Sequence, residues 1–431
     1  MPQRIVHLTP GTGSFYCGTC LRDNALVTAL RKLGHDATLL PLYLPLTLDE
    51  PDASDGQPVL MGGINVYLQQ KSALFQKTPR WLDHLLDAPA LLKMAASRAG
   101  MTAAEDLGDV TLSMLRGEEG RQKKEIDKLV DWLKLESQPD AVCLSNALLI
   151  GLVRRLKSEL KVPVVCSLQG EDSFLDSLPE PYRTQSWETI AERARECDAF
   201  VAPSRYFGDL MQERLKLPPE RVHVVYNGIA LDGYEPAQPL PDPPVLGFFA
   251  RQCQPKGLET LVEAFIILKQ RDHIKSLKLL VAGTKTVADE PFVNNLRARL
   301  EKQGLARQAL FLEPLDRNGK IAFLQNLSAL SVPATYGESF GLYIIEALAC
   351  GVPVAQPRHA AFPELIEITG GGVLCEPNDP QSLAEAVERL LNDPGAARAM
   401  GEHGRQVVLR DFSAEQMARN FAGVIEPLGS R

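Results

Sequence analysis

Five prolines in ten residues, EPAQPLPDPP at 235–244, set the strongest limit on how this chain can fold. Proline fixes φ and lacks a backbone donor. Such a run enters neither a helix interior nor a central strand, and it reads as a semi-rigid extended linker. It divides the 431 residues into 1–234 and 245–431, each long enough for a core of its own. At roughly 100–200 residues per domain, the length alone allows two or three domains.

Both halves alternate short apolar runs with amphipathic stretches. The strand candidates of the first half are 4–8, 37–42, 141–145, 162–168, 199–203 and 222–226. Those of the second are 245–250, 277–283, 309–313, 329–333 and 352–356. Near-continuous apolar strands separated by helices predict parallel sheets covered on both faces. Asp379-Pro380 and Asp393-Pro394 each supply an N-cap followed by a proline at the first helical position. Ser413 and Gln416 have the spacing of a capping box that opens a last helix. The expected fold class is α/β, with two doubly wound, Rossmann-like domains.

Residues 43–135 break this rhythm. A loop-like segment, LPLTLDEPDASDGQP, precedes a helical stretch carrying Trp81, Leu82, Leu85, Leu86, Leu91, Leu92 and Met94. Asp83 and Asp87 are interleaved and no dense Lys/Arg face exists, so a packed insertion is expected rather than a helix lying on a membrane.

Composition narrows the function classes. With 45% apolar and 23% charged residues the chain is neither disordered nor a small disulfide scaffold. Lys plus Arg number 46 against 54 for Asp plus Glu, a formal charge of −8. That leaves no basic excess for a polyphosphate backbone, and no nucleic-acid partner is expected. A local basic site for one small anion stays open. No apolar run approaches the ~20 residues of a membrane span, and the start, MPQRIVHLTPG, is too short for a signal h-region. A cytoplasmic chain without an integral membrane segment is the expectation. The eight cysteines are scattered and expected to be reduced and buried. Cys17-Gly-Thr-Cys20 is the one close pair. Lacking a second pair or a histidine at ligand spacing, it does not predict zinc, and a redox role is left open.

Two glycine-rich turns carry the chemistry. The first, TPGTGSFYCG at 9–18, follows the first strand. Tyr16 stands where a dinucleotide fingerprint needs its third glycine, and no acidic residue ends the second strand, so that fingerprint fails. What remains is a loop opening a helix predicted over Asp23–Leu33, whose amides can face an anion. The second follows the strand at 329–333. In the segment PATYGESFGLYIIEALACGVPVAQP, Gly337 and Gly341 free the turn. Amides of Ser339, Phe340, Gly341 and Leu342 can then cradle an anion at a helix start. Glu338 stands in this turn and Glu346 lies eight residues on, up to roughly 12 Å along a helix axis. The ~5–9.5 Å of paired glycosidase carboxylates is shorter, whereas two acceptors holding opposite ends of one elongated ligand would suit the span. Glu346, between Ile345 and Ala347, is costly to bury without a partner. Arg251 and Lys256 follow the strand at 245–250, where open α/β sheets bind ligands. A planar fork and a point charge there suit a diphosphate.

Together these residues resemble family 4 of the retaining glycosyltransferases, which have the GT-B fold. The Glu-x7-Glu pattern is matched by Glu338 and Glu346, the Arg-x4-Lys-Gly pattern by Arg251, Lys256 and Gly257, and an Asn-Gly-Ile segment by Asn227-Gly228-Ile229. The likeness is continuous over the C-terminal half, patchy over the N-terminal half and slight over 43–135.

The resemblance implies an acceptor-side domain at 1–234, completed by a helix at 413–431 and carrying the insertion, and a donor-binding domain at 245–412. It implies a nucleotide-sugar donor, a UDP-sugar by commonness, and a hydroxyl acceptor taken in the interdomain cleft by a hexosyltransferase. Arg251 and Lys256 would neutralise the donor diphosphate and Glu338 would touch sugar hydroxyls. Glu346 would bind the ribose, the amides around Phe340, Gly341 and Leu342 would hold phosphates, and Gly18 would approach from the facing domain. No cofactor beyond the donor and no metal is implied, in keeping with the lack of any Asp-x-Asp. Relatives often place a histidine where this chain has Gln169-Gly170-Glu171-Asp172. Gln169 cannot take up a proton, which leaves Glu171 or Asp172 to orient an acceptor. None of the seven histidines is compellingly catalytic, and His7, the best placed, reads as a core residue. The missing histidine keeps open a nucleotide-sugar-binding protein without transfer activity, and the same two-lobed fold allows a nucleotide-sugar epimerase.

Overall fold

Each half of the chain builds a six-stranded, all-parallel sheet. The computed structural model describes residues 2–12, 17–71, 104–236 and 241–429. The first sheet is made of β1 (Arg4–Thr9), β2 (Asp36–Pro41), β3 (Ala141–Leu144), β4 (Val164–Ser167), β5 (Ala199–Ala202) and β6 (Val222–Val224), in the order β2-β1-β3-β4-β5-β6. His7 pairs with Cys143 and Leu8 with Leu144. Successive residues of a strand face opposite ways, and both faces are covered. Val142 and Leu144 join one apolar core with Leu129, Leu156 and Phe207. Ala141 and Cys143 join the other with Leu26, Leu30, Met417 and Phe421.

The second sheet holds β7 (Val245–Phe249), β8 (Lys278–Ala282), β9 (Ala309–Phe311), β10 (Ala329–Leu330), β11 (Val354–Pro357) and β12 (Gly372–Cys375), ordered β12-β11-β10-β7-β8-β9. Leu246, Phe248, Leu279, Val281, Leu330 and Val354 are among its fully buried positions. In both sheets the strand order reverses once, between β1 and β3 and between β7 and β10. Such switch points are where doubly wound sheets take ligands.

Eleven of the twelve strands fall on predicted runs. The twelfth, β12, begins at the last glycine of the triplet Gly370-Gly371-Gly372 and is only half-buried at the sheet edge, so no apolar run marks it. The predicted helix starts at 379–380 and 393–394 are present, with Asp379 accepting from the amides of Gln381 and Ser382 and Asp393 from that of Ala396. The helix predicted from Asp23 instead begins at Gly18. Glycine and threonine are poor helix formers, which hides the first turn from a propensity reading.

One compact unit comprises Met1–Gly228 with Ala414–Arg431, and the other Ile229–Ser413. The chain therefore changes unit at Gly228, ahead of the proline run, of which 237–240 lie outside the described residues. Within the insertion, helices Gly63–Lys71, Ala104–Leu115 and Lys123–Trp132 are described. The apolar residues from Trp81 to Met94 lie outside the described residues.

Candidate functional site

At the C-terminal edge of the second sheet, β7 and β10 lie side by side and the loops that follow them are tied together. The Thr335 amide donates to the Pro255 carbonyl at 2.9 Å. Gly257, at φ +74°, comes so close to Pro333 that a Cβ would stand 1.8 Å from its carbonyl oxygen. Only glycine allows this approach, and it brings Lys256 onto Glu338.

The Lys256 Nζ lies 2.5 Å from Glu338 Oε2. It also donates to the Tyr336 hydroxyl and stands 5.0 and 5.7 Å from the ring centroids of Tyr336 and Tyr343. Glu338 Oε2 in turn accepts from the hydroxyls of Tyr336 and Tyr343, at 2.9 and 3.3 Å. Burial pushes the Tyr343 phenol well above its usual range, so it stays a donor. The Lys256 and Glu338 side chains remain 21% and 12% exposed, enough to be reached from solvent.

Beside them, the half-exposed Arg251 forks onto Asp289, with Nε to Oδ2 at 3.0 Å and Nη2 to Oδ1 at 3.2 Å. Its Nη2 also donates to Thr286 Oγ1 at 3.2 Å. Burial alone would raise the Asp289 pKa, but hydrogen bonds from Thr286 and Arg251 hold it below the ordinary value, so the pair is ionic.

The helix Leu342–Ala349 begins at Gly341, whose φ of +94° forms its N-cap. Ser339 and Phe340 are buried, and the Phe340 ring packs on Phe412 at 6.1 Å. The first amides of this helix have no intrahelical acceptor. Glu346 is buried within it and meets Lys320 Nζ at 2.9 Å, while its Oε1 accepts from the Tyr234 hydroxyl at 3.2 Å. Lys320, on the helix Arg317–Gln325, offsets the burial cost expected from the sequence of the Glu346 helix.

The first unit holds the remaining candidates. Gly18 is the first residue of the helix Gly18–Lys32, while Gln169 and Asp172 follow β4. The half-buried Gln169 donates its amide to Glu171 Oε2 at 2.6 Å, and Glu171 Oε1 accepts from the Ala147 amide at 2.9 Å. Glu171 thus ties together the loops after β3 and β4. Asp172 is different. It is 8% exposed, its Oδ1 makes no hydrogen bond among the described residues, and burial raises its pKa above the usual carboxylate value.

His7 is a core residue, with Nε2 at 3.0 Å from Asp23 Oδ1. Asp23 also meets Arg22 at 3.2 Å and the Ser145 hydroxyl at 2.5 Å.

The site residues not foreseen are Asp289, Tyr336, Tyr343, Lys320 and Tyr234. Tyr336 and Tyr343 flank Glu338 in sequence and could have been noticed. Asp289, Lys320 and Tyr234 reach their partners across long stretches of chain, which local spacing does not reveal. Among the described residues no group of three or more His, Cys, Asp or Glu could hold a metal ion, and no helix is long and apolar enough to cross a membrane.

Two family models match consecutive parts of the chain, "Glycosyltransferase Family 4" over residues 106–232 and "Glycosyl transferases group 1" over 235–407. The chain is 31% identical to the D-inositol 3-phosphate glycosyltransferase of Corynebacterium jeikeium, over 37% of this chain and 38% of that protein. It is 29% identical to the glycogen synthase of Mycobacterium tuberculosis, over 67% and 68%. It spans between 36% and 51% of the length of the first inositol-phosphate relatives it matches. In fold it is similar to sucrose-phosphate synthase from Thermosynechococcus elongatus, with a TM-score of 0.72 at 18% identity over 99% of both chains. It is also similar to Anabaena HepE solved in complex with UDP, with a TM-score of 0.69 at 16% identity over 99% of this chain and 100% of that one.

Proposed function

The chain belongs to the family 4 type of GT-B glycosyltransferases, and on that premise we propose that it is a retaining hexosyltransferase. It moves a sugar from a nucleoside-diphosphate sugar to a hydroxyl acceptor. The observation that carries this reading is the Lys256–Glu338 pair beside a helix start, with Arg251 close by in sequence. Without ligand, the cation and the carboxylate satisfy each other. With donor bound, the diphosphate takes Lys256 and the Arg251 fork, and the sugar hydroxyls take Glu338. Amides at Phe340, Gly341 and Leu342 hold the phosphates. Glu346, paired with Lys320 and hydrogen-bonded by Tyr234, accepts from the ribose.

In the transfer, the bond from the anomeric carbon to the β-phosphate oxygen breaks and a bond to the acceptor oxygen forms on the same face. The acceptor proton passes to the leaving phosphate, so no protein base is needed, and Gln169 in place of a histidine is no obstacle. Charge developing on the leaving diphosphate is met by fixed cations, without a metal or cofactor. The acceptor hydroxyl is oriented in the first unit by Asp172, whose unpaired oxygen lacks a donor. A uridine donor is the first choice, since HepE, a neighbour in fold, was solved with UDP.

The test is ligand-observed NMR against UDP-, GDP- and ADP-glucose, followed by the anomeric configuration of any glycoside formed. A UDP-sugar should bind, and the product should keep the donor's configuration. Binding of none of the three, an inverted product, or isomerised donor without acceptor would each overturn the assignment.

A further inference from the structure

Of the eight cysteines, seven are buried and Cys17 is partly exposed. Cys17 is the N-cap of the 15-residue helix Gly18–Lys32, in an extended conformation with φ −121° and ψ 127°. Cys20 sits one turn further on with no exposed surface. Residues three apart on a helix bring their Cβ atoms to about 5–6 Å, and a disulfide asks for Cβ atoms roughly 3.5–4.5 Å apart. Joining the two sulfurs therefore asks for an adjustment of the first turn. The two thiols are hydrogen-bonded to each other, and Thr9 Oγ1 lies 3.9 Å behind Cys20 Sγ. One sulfur is partly exposed and the other is buried.

We propose that Cys17 and Cys20 form a reversible dithiol centre that exchanges with small-molecule disulfides. Cys17 is the attacking sulfur. The Cys20 thiol donates to it, and this bond, with backbone amides at the helix start, outweighs burial and pulls the Cys17 pKa down to about 6. The same bond drives the Cys20 pKa up, so Cys20 keeps its proton until the second step.

The Cys17 thiolate attacks one sulfur of a disulfide RSSR and expels RS⁻, leaving a mixed disulfide on Cys17. Cys20 then attacks Cys17 Sγ, expelling the second RS⁻ and closing the Cys17–Cys20 bond. Two protein thiols are oxidised, one disulfide is reduced, and the two thiol protons end on two RSH.

A second neighbouring pair shows what the first adds. Cys166 and Cys197 are also hydrogen-bonded, but they are 0% and 2% exposed and burial raises Cys166 far above its ordinary value. Neither sulfur of that pair can be reached from solvent.

The experiment equilibrates the full chain with oxidised glutathione, blocks remaining thiols and maps the products by mass spectrometry. Wild type should lose two hydrogens on the peptide bearing Cys17 and Cys20. C20S should stop at a glutathione adduct on Cys17, and C17S should leave Cys20 unmodified. Free Cys17 and Cys20 in the wild type, or an adduct forming on Cys20 of C17S as fast as on Cys17 of C20S, would overturn the proposal. A second measurement needs no variant. The iodoacetamide reaction of Cys17 should reach half its maximal rate near pH 6, and a midpoint near the ordinary ~8.5 of a thiol would also overturn it.

Discussion

Under the helix Gly18–Lys32 of the first unit, Asp23 is held by Arg22, His7 and Ser145, with side-chain exposures of 0–2% for Asp23, Arg22 and His7. At the edge of the second sheet, Glu338 is held by Lys256 and two tyrosines with the ion pair still 12–21% exposed. Both clusters lie where a doubly wound sheet reverses its strand order, and both join a carboxylate to a cation and hydroxyls. Solvent access separates them. Buried charges lose their hydration and are stable only while every partner stays in place. A pair that water can reach is opened by a ligand at modest cost. The first cluster locks a helix onto its sheet, and the second can exchange its partners for a substrate.

The widest gap between them should appear in stability. Asp23→Ala strands Arg22 and His7 in the core, where breaking a buried pair costs about 3–5 kcal/mol. For a unit of this size that lowers the Tm by something on the order of 10 °C. Lys256→Ala should cost less than about 1 kcal/mol. Equal melting temperatures for the two variants would erase the contrast. pH sharpens it. Burial pushes the Asp23 pKa up, but Arg22 and His7 outweigh it and hold the folded value below the ordinary one. The stabilisation is therefore fully present above the unfolded value of about 3.9 and is lost as pH falls through the folded one. The difference in stability between wild type and Asp23→Ala should stay constant from neutral pH down to about pH 4 and shrink below it.

Activity should reverse the ranking. Lys256→Ala removes a fixed cation from the leaving diphosphate, an effect of about 10²–10³ in kcat for a single preorganised group, with the fold intact. Initial rates with a UDP-sugar would check this. A fully active variant would make the Lys256–Glu338 pair merely structural, like its counterpart around Asp23.

The same divide governs what the sequence could reveal. Strands buried on both faces, such as β3 and β7, stand out as unbroken apolar runs, while the half-buried edge strand β12 does not. Lys256, Glu338 and Glu346 were legible because each sits in a glycine-punctuated motif of fixed spacing. Their partners were less so. Lys320 and Asp289 lie on other elements with no local pattern to mark them, and the Asp23 cluster is assembled from a strand, a helix and a loop. Motif spacing reports residues that share one turn, whereas pairing across a sheet edge is set by topology.

Asp172 gives the smallest effect and the most pointed one, because it is buried like Asp23 yet its Oδ1 makes no hydrogen bond among the described residues. Its pKa is raised by burial, which outweighs the backbone hydrogen bonds to its carboxylate and the nearby Arg214. For a carboxylate raised in the fold, the penalty grows as pH climbs from the unfolded value of about 3.9 through the folded one, and it is complete above that. Asp172→Asn should therefore be more stable than wild type at neutral pH, by about 0.5–2 kcal/mol as for other single stabilising changes, with the gain vanishing below about pH 4. This is the opposite trend to Asp23→Ala. If Asp172 orients the acceptor, the stabilised variant should also show a raised KM for acceptor with donor affinity unchanged. A variant that gains stability and keeps its acceptor KM would reduce Asp172 to an unpaired acid without a part in transfer. A loss confined to the acceptor would show that the unpaired charge is retained because a substrate hydroxyl completes it.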